Sequence, residues 1–210
     1  MYKKIIKRLL DIVLSTLAII VLAIPMLIIA LIIKITDPGP AIFVQKRVGK
    51  NKVCFEMYKF RSMRTNAPKD VPTRMLNDSE QYITRIGRFL RKSSLDELPQ
   101  IFNIWTGKMS IIGPRPVIEN EDDLIAERDK YGANDVRPGL TGWAQINGRD
   151  EIDVCLKAKL DGEYVEKMSF AFDCKCFFGT IISVLRSDGV VEGGEEEPEK
   201  QEEKEEAATK

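Results

Sequence analysis

Two adjacent carboxylates, Asp96 and Glu97, are the residues whose chemistry stands out first. They begin a segment from Leu95 to about Trp105 whose apolar spacing predicts an amphipathic helix. A carboxylate can carry a phosphoryl group covalently, and a carboxylate pair can hold Mg²⁺. Acidic residues are also favoured in the first turn of any helix, because they face the positive end of its dipole. The doublet by itself therefore does not identify a site.

Two loops rich in glycine, proline and arginine follow the doublet, at residues 112–116 and 136–149. Glycine lets the backbone approach a ligand closely, and the planar arginine fork matches the oxygens of a phosphate group. Turns of this composition are also common on protein surfaces. Together with the carboxylates, the two loops fit a site for an anionic ligand.

The composition excludes several other chemistries. The chain has no histidine, so a Ser-His catalytic triad, a histidine-ligated zinc site and histidine acid–base catalysis are ruled out. The four cysteines are scattered, and Cys174-x-Cys176 lacks the second pair that a structural zinc site needs. We expect four reduced thiols that face the cytosol, and carboxylate chemistry becomes the leading alternative.

The charge distribution favours an anionic partner. Residues 192–210 hold nine acidic and three basic side chains, which leaves 29 basic against 23 acidic residues in the rest of the chain. A basic surface suits lipid headgroups or phosphates, although a mild excess is also ordinary for a protein surface. A chain of 210 residues is long enough for one catalytic unit plus a membrane element, which is what we expect. We expect no nucleic-acid partner.

A membrane segment precedes the carboxylates. Residues 12–33 form an uncharged run of 22 residues, long enough to reach across the hydrocarbon core of a bilayer. Basic residues flank both ends, which favours placing both ends on the cytoplasmic face. Pro25, in the middle of the run, removes a backbone donor and gives a kink a physical cause. A bent helix that re-enters one face fits these features, and a straight spanning helix is the alternative.

The rest of the chain predicts short elements that position the loops. Residues 41–45 and 53–60 read as the two strands of a hairpin after the turn at 37–40, and residues 65–79 read as a polar surface loop. Residues 82–92 have the pattern of a helix that lies in the lipid interface, or of an ordinary core-facing helix with a basic outer face. Further helices are predicted at 119–130, 152–168 and 173–186. The composition of the acidic tail predicts disorder, and a solvated helix is the alternative.

Several long motifs, taken in order, resemble one known family. The segments Ser94–Gln100, Gly113–Pro116 and Arg137–Arg149 are similar to the bacterial sugar transferases, also called monotopic phosphoglycosyl transferases. The similarity includes Lys7–Asp11 before the apolar run and Tyr58–Met63, so it extends to about residue 190. The chain resembles the minimal form of this family, such as the transferases that move bacillosamine phosphate or galactose phosphate to undecaprenyl phosphate. The acidic tail matches no motif of the family.

The resemblance implies a reaction and a location. The family transfers a sugar phosphate from a UDP-sugar to polyprenol phosphate in two steps with Mg²⁺, through a phospho-sugar intermediate on an aspartate, and releases UMP. Matched position by position, Asp96 is the nucleophile and Glu97 its acidic partner, and both are candidate Mg²⁺ ligands. The remaining candidates are phosphate-binding cations: Arg115, Arg137 and Arg149, with Lys59, Arg61 and Arg91 as weaker ones.

These inferences predict an α+β monotopic membrane protein with a Pro-kinked re-entrant N-terminal helix, interfacial amphipathic helices and a short β-hairpin. We divide it into a membrane helix (1–36), a cytosolic catalytic domain (37–190) and a disordered tail (191–210). We expect it at the bacterial inner membrane with the catalytic domain on the cytoplasmic face, in contact with membrane lipids. The alternatives are a non-catalytic adaptor that binds anionic lipids and a conventional glycosyltransferase that releases UDP.

Overall fold

A long N-terminal helix dominates the first part of the chain. The computed structural model describes residues 1–68, 79–148 and 152–186; Arg149, the acidic tail and most of the predicted polar loop at 65–79 lie outside these ranges. A π-helical turn, Tyr2–Ile6, leads into helix α1, Lys7–Thr36. Together they are long and apolar enough, by length and composition, to cross a membrane.

Helix α1 continues through Pro25 without interruption. Most of its apolar side chains are exposed, including Val21 at 71% and Ile24 at 72%, which is the pattern of a helix whose surroundings are lipid. The long apolar N-terminal helix is therefore as predicted and is compatible with membrane association, whereas the kink and the re-entrant path stay predictions.

The predicted hairpin is confirmed. Strands β1, Ile42–Val48, and β2, Cys54–Phe60, pair antiparallel with Ile42 opposite Phe60 and Val48 opposite Cys54. The connection contains the 3₁₀ turn Lys50–Lys52. One face of β2 is buried through Phe55, Met57 and Phe60, as alternation along a strand requires.

A small parallel sheet joins the two Gly/Pro/Arg loops. Strand β3, Ser110–Ile112, pairs with β4, Gly139–Thr141. A Cβ atom at Gly139 would lie 2.1 Å from the backbone nitrogen of Gly113, so only glycine permits this approach. The sequence did not predict these strands, because three residues are too few for a period to be visible.

The helices around the carboxylates are shorter than predicted. Helix α2, Ser79–Tyr82, and helix α3, Arg85–Lys92, replace one predicted helix, and the hydroxyl of Thr84 caps α3 by accepting from the Gly87 amide. The prediction of one helix from Leu95 to Trp105 is wrong. The 3₁₀ turn Leu95–Glu97 is followed, after Pro99, by helix α4, Gln100–Trp105.

The sequence predicts that Leu98, Ile101, Phe102 and Trp105 share one apolar face of this helix, and that prediction is also wrong in part. Ile101 is buried, whereas Phe102 and Trp105 are exposed. Phe102 and Trp105 are three positions apart in α4 and lie together on its exposed side, whereas Ile101 and Ile104, also three positions apart, lie on its buried side.

Four further α-helices and the 3₁₀ turn Ala133–Asp135 complete the described part of the chain. The α-helices are α5, Asp122–Asp129; α6, Trp143–Ile146; α7, Val154–Lys167; and α8, Phe170–Arg186. Predicted helices at 119–130, 152–168 and 173–186 are thus confirmed with shifted ends. The fold mixes helices with small sheets, as the predicted α+β class requires, and all four cysteines are free.

Candidate active site

The 3₁₀ turn at Leu95–Glu97 places both carboxylates at the meeting point of several elements. Ser94, immediately before it, has a φ of 55°, so the chain reverses sharply after α3. Strand β2 contributes Lys59 from one side, and the loop after β3 contributes Arg115 from another. Residues that are far apart in the sequence therefore converge on one acidic turn.

Glu97 binds two cations through one oxygen. The ammonium group of Lys59 and the Nη2 atom of Arg115 each donate to Glu97 Oε1 over 2.8 Å. Burial by itself would raise the pKa of Glu97, but the attraction and hydrogen bonds of Arg115 and Lys59 outweigh burial and hold the pKa below its usual range. Glu97 is consequently a fixed anion at neutral pH.

Asp96 is in the opposite situation. Its side chain is buried, and within the described ranges no hydrogen bond to its carboxylate is found. Burial raises the pKa of Asp96, the positive charge of Lys59 opposes this, and the negative charge of Glu97 adds to the rise. A carboxylate that has a raised pKa and accepts no hydrogen bond is a better nucleophile than one already hydrogen-bonded to two cations.

Arg91 provides a further positive charge beside Asp96. It lies in the last turn of α3, and its charge acts on the pKa of Asp96. Its Nη1 atom is buried and has no hydrogen-bond partner among the described residues. Because a buried donor without a partner costs free energy, Arg91 is placed to gain from an incoming anion.

The backbone of Arg115 is held by a buried ion pair. Arg128, on α5, donates from Nε and Nη2 to Asp161 Oδ2, on α7, over 2.8 and 2.5 Å. The Nη1 atom of Arg128 donates to the carbonyl oxygen of Arg115 over 3.0 Å. Sequence analysis missed both residues, because two charges 33 positions apart carry no local signal of their contact.

Arg137 and Arg61 lie in different surroundings. Arg137 Nε donates to the carbonyl oxygen of Gly107, just after α4. Arg61 is buried beneath the turn that follows α1, where its Nη2 atom donates to the carbonyl oxygen of Asp37. The described contacts do not join either arginine to Asp96 or Glu97, and Arg149 lies outside the described residues. Their predicted phosphate contacts stay predictions.

The carboxylates are compatible with Mg²⁺. Mg²⁺ commonly binds one or two carboxylates and completes its octahedron with water and substrate phosphates. Asp96 has oxygens available for such a role, whereas Glu97 Oε1 is already shared by two cations. Within the described ranges, no group of three or more potential ligands is present, so the ion would depend on phosphate oxygens of the substrate. Of the two predicted ligands, Asp96 fits better.

Comparison with known proteins assigns the family. The profile of the bacterial sugar transferases matches residues 2–187. The UDP-glucose:undecaprenyl-phosphate glucose-1-phosphate transferase of Escherichia coli (strain K12) is 41% identical, over 85% of this chain and 40% of its own length. The undecaprenyl-phosphate galactose phosphotransferase of Salmonella typhimurium is 38% identical, over 87% of this chain and 41% of its own length.

The match to shorter relatives is nearly complete. The exopolysaccharide production protein PSS of Rhizobium leguminosarum bv. phaseoli is 39% identical, over 86% of this chain and 96% of its own length. The chain thus spans about two-fifths of the Escherichia coli and Salmonella relatives, and almost all of the Rhizobium protein. On the strength of the profile match and these identities, the chain is a member of the bacterial sugar transferase family.

Proposed function

We propose that this protein transfers a sugar 1-phosphate from a UDP-sugar to undecaprenyl phosphate or a similar polyprenol phosphate. The products are a polyprenyl diphosphate sugar and UMP. The observation that carries the proposal is the unequal carboxylate pair: Asp96 is buried without a partner among the described residues, and its neighbour Glu97 holds Lys59 and Arg115. This arrangement offers a nucleophile next to fixed positive charges, as phosphoryl transfer requires.

In the first step, a carboxylate oxygen of Asp96 attacks the phosphorus that is attached to the sugar. The bond from that phosphorus to the bridging oxygen breaks, and UMP leaves with the electron pair. A sugar phosphate is then bound covalently to Asp96. Lys59 and Arg115 lie where they can neutralise charge on the diphosphate, and Arg91 has a buried donor available for a phosphate oxygen.

In the second step, an oxygen of the polyprenol phosphate attacks the same phosphorus, and the bond to Asp96 breaks. The carboxylate is regenerated, so no proton has to be stored between the steps. Glu97 stays ionised throughout, because its low pKa prevents it from acting as an acid near neutral pH. Its role is to orient Lys59 and Arg115. Mg²⁺, when bound, neutralises phosphate charge and reduces its repulsion of Asp96.

The names of the relatives support the lipid acceptor more than a particular sugar. Two of them share undecaprenyl phosphate and phosphate transfer but differ in glucose and galactose. Placement at the bacterial inner membrane, with the catalytic domain on the cytoplasmic face, belongs to the same proposal. The apolar helix α1 and the basic residues on both sides of it support this location.

The test is nucleotide release by the purified full chain in detergent with Mg²⁺, undecaprenyl phosphate and a panel of UDP-sugars. We expect UMP from one sugar and none from Asp96→Asn. Glu80→Gln is a matched control, because it removes one carboxylate charge from an exposed pair with Arg88. Release of UDP would instead indicate a conventional glycosyltransferase.

The covalent step has its own measurement. Without the lipid acceptor, the protein should release at most one equivalent of UMP and gain the mass of one sugar phosphate. Peptide mapping should place this adduct on Asp96, and Asp96→Asn should not acquire it. Turnover by Asp96→Asn, or UMP release with no adduct on the chain, would contradict the nucleophile assignment.

A further inference from the structure

The outer edge of strand β2 is bound by a side chain. β1 pairs with one edge of β2, and Asn103 on helix α4 contacts the other. The backbone nitrogen of Tyr58 donates to Asn103 Oδ1 over 3.0 Å, and Asn103 Nδ2 donates to the carbonyl oxygen of Glu56 over 2.7 Å. The amide thus pairs with the strand as a neighbouring strand would.

Asn103 is itself firmly held. It is 2% exposed, and its own carbonyl oxygen accepts from the backbone nitrogens of Lys108 and Met109 over 2.9 and 3.0 Å. Its backbone and side chain are therefore both fixed. Because Asn103 is fixed in this way, its side chain holds strand β2 in a defined position relative to helix α4.

The two hydrogen bonds of Asn103 restrict the register of strand β2 relative to helix α4, which the apolar packing in the same interface does not do. Phe55 and Met57 of β2 pack against Ile104 and Met109. Apolar contacts hold the strand close to the helix, but they are not directional. Hydrogen bonds to the N–H of Tyr58 and the C=O of Glu56 exclude a slip by one residue, because the backbone groups of a strand point to a given edge only at every second residue.

This register bears directly on the site. Lys59 follows Tyr58 on β2, and the turn that carries Glu97 runs into α4. A slip of β2 by one residue would turn Lys59 to the other face of the strand, away from Glu97. We propose that Asn103 is a positioning residue, which fixes β2 against α4 so that Lys59 reaches Glu97 Oε1.

Few side chains could replace asparagine here. Tyr58 needs an acceptor and Glu56 needs a donor, and the amide supplies both from one planar group. Ionised aspartate could only accept, and leucine could do neither. The catalytic meaning of this contact rests on the proposed function, whereas the contact itself can be tested without any activity.

The first experiment compares Asn103→Leu with Ile104→Val, a matched control that weakens packing in the same interface but leaves the two hydrogen bonds. We would measure exchange of the Tyr58 amide and acylation of Lys59 by an amine-reactive reagent, using mass spectrometry with exposed lysines as internal standards. Asn103→Leu should increase both rates by about tenfold or more, the factor expected for a lost hydrogen bond to a charged or buried group. Ile104→Val should leave both nearly unchanged.

The second experiment is a double-mutant cycle on UMP release with Lys59→Met. If Asn103 acts through Lys59, Asn103→Leu should lower turnover by about tenfold in the wild-type background and by less than about twofold when Lys59 is already absent. A merely structural role predicts the same factor in both backgrounds. Equal factors would overturn the proposal.

The outcomes separate the two proposals. If wild-type protein releases no UMP from any UDP-sugar, the proposed function fails, and the exchange and acylation rates still decide whether Asn103 positions Lys59. If Asn103→Leu does not fold, exchange of the Tyr58 amide in wild-type protein decides. If the Tyr58 amide is protected as well as the β2 amides that bond to β1, the contact with Asn103 is supported. If it exchanges as fast as an amide in an exposed turn, the contact is refuted.

Discussion

Removing the charge of Glu97 should destabilise the folded protein, whereas removing the charge of its neighbour Asp96 should stabilise it. Glu97→Gln and Asp96→Asn each replace a carboxylate by an amide of the same shape. The first leaves Lys59 and Arg115 without their shared anion. The second removes a buried charge for which the described residues provide no hydrogen bond, next to another negative charge.

The size of the first effect follows from the contacts of Glu97. Its two bonds are 2.8 Å long, and the exposed fractions of the side chains are 18% for Glu97, 19% for Lys59 and 39% for Arg115. A hydrogen bond to a charged group contributes about 1.5–3 kcal/mol. The burial of Glu97 opposes this, and the exposure of Arg115 weakens its bond by solvent screening. We expect Glu97→Gln to lower the free energy of unfolding by about 2 kcal/mol at pH 7.

The two effects should also differ in their pH dependence. The pKa of Glu97 is lower in the folded than in the unfolded chain. The stabilisation that ionised Glu97 contributes is therefore fully present above the pKa of glutamate in the unfolded chain, about 4.3, and declines as the pH falls below that value. The pKa of Asp96 is higher in the folded chain, so its penalty is present at neutral pH and disappears as the pH falls towards about 3.9. The gain from Asp96→Asn should fade at a higher pH than the loss from Glu97→Gln.

The assay is urea unfolding in detergent between pH 7 and about pH 3, well below the unfolded pKa of glutamate, followed by the fluorescence of Trp105 and Trp143. Glu80→Gln serves as the control, because its exposed ion pair with Arg88 should contribute little. If Asp96→Asn and Glu97→Gln changed the free energy of unfolding with the same sign at pH 7, the opposite roles of the two carboxylates in stability would be contradicted. A loss for Glu97→Gln that is equal at both ends of the pH range would contradict the lowered pKa of Glu97.

Three further predictions concern the supporting structure and the metal. Arg128→Met leaves Asp161 as an uncompensated buried charge, so urea unfolding should show a loss of about 3–5 kcal/mol; a loss below 1 kcal/mol would contradict the role of the pair. Gly87→Ala places a Cβ atom 1.8 Å from the carbonyl oxygen of Ser62, so thermal unfolding should shift to lower temperature, and an unchanged Tm would show that α3 can move away. Chelation by EDTA should stop UMP release and added Mg²⁺ should restore it, whereas undiminished release in EDTA would exclude the metal requirement.

The sequence identified the charged residues at the centre of the candidate site better than it identified the residues that hold them in place. Asp96, Glu97 and Arg115 lie in motifs, and the structure brings them together with Lys59 and Arg91, which the sequence ranked lower. Motif membership does not specify where a side chain points, so the sequence could not show which of the arginines lie next to Asp96 and Glu97. A guanidinium group binds a helix-end or turn carbonyl as readily as a phosphate, and Arg137 and Arg61 do so.

The supporting contacts were beyond prediction for a different reason. Arg128 and Asp161 meet across two helices, and Asn103 meets Glu56 across 47 positions of sequence. Each contact depends on the packing of complete elements, and local periodicity does not contain that information. The 3₁₀ turn at the carboxylates was missed because Leu95, Leu98 and Ile101 occur at a spacing that also fits an α-helix.

The contacts of α1 link this apolar helix to the elements that carry the cations of the candidate site. Near its start, Asp11 accepts from the hydroxyl of Ser110 and the backbone nitrogen of Ile111, which belong to the strand before Arg115. Near its end, Ile33 packs in one cluster with Phe60 and Leu90, neighbours of Lys59 and Arg91 in sequence. Helix α1 therefore supports the elements that carry the cations of the site. Under the proposed function, a polyprenol phosphate that binds beside this helix would present its phosphate to a sugar phosphate on Asp96 without leaving the membrane surface.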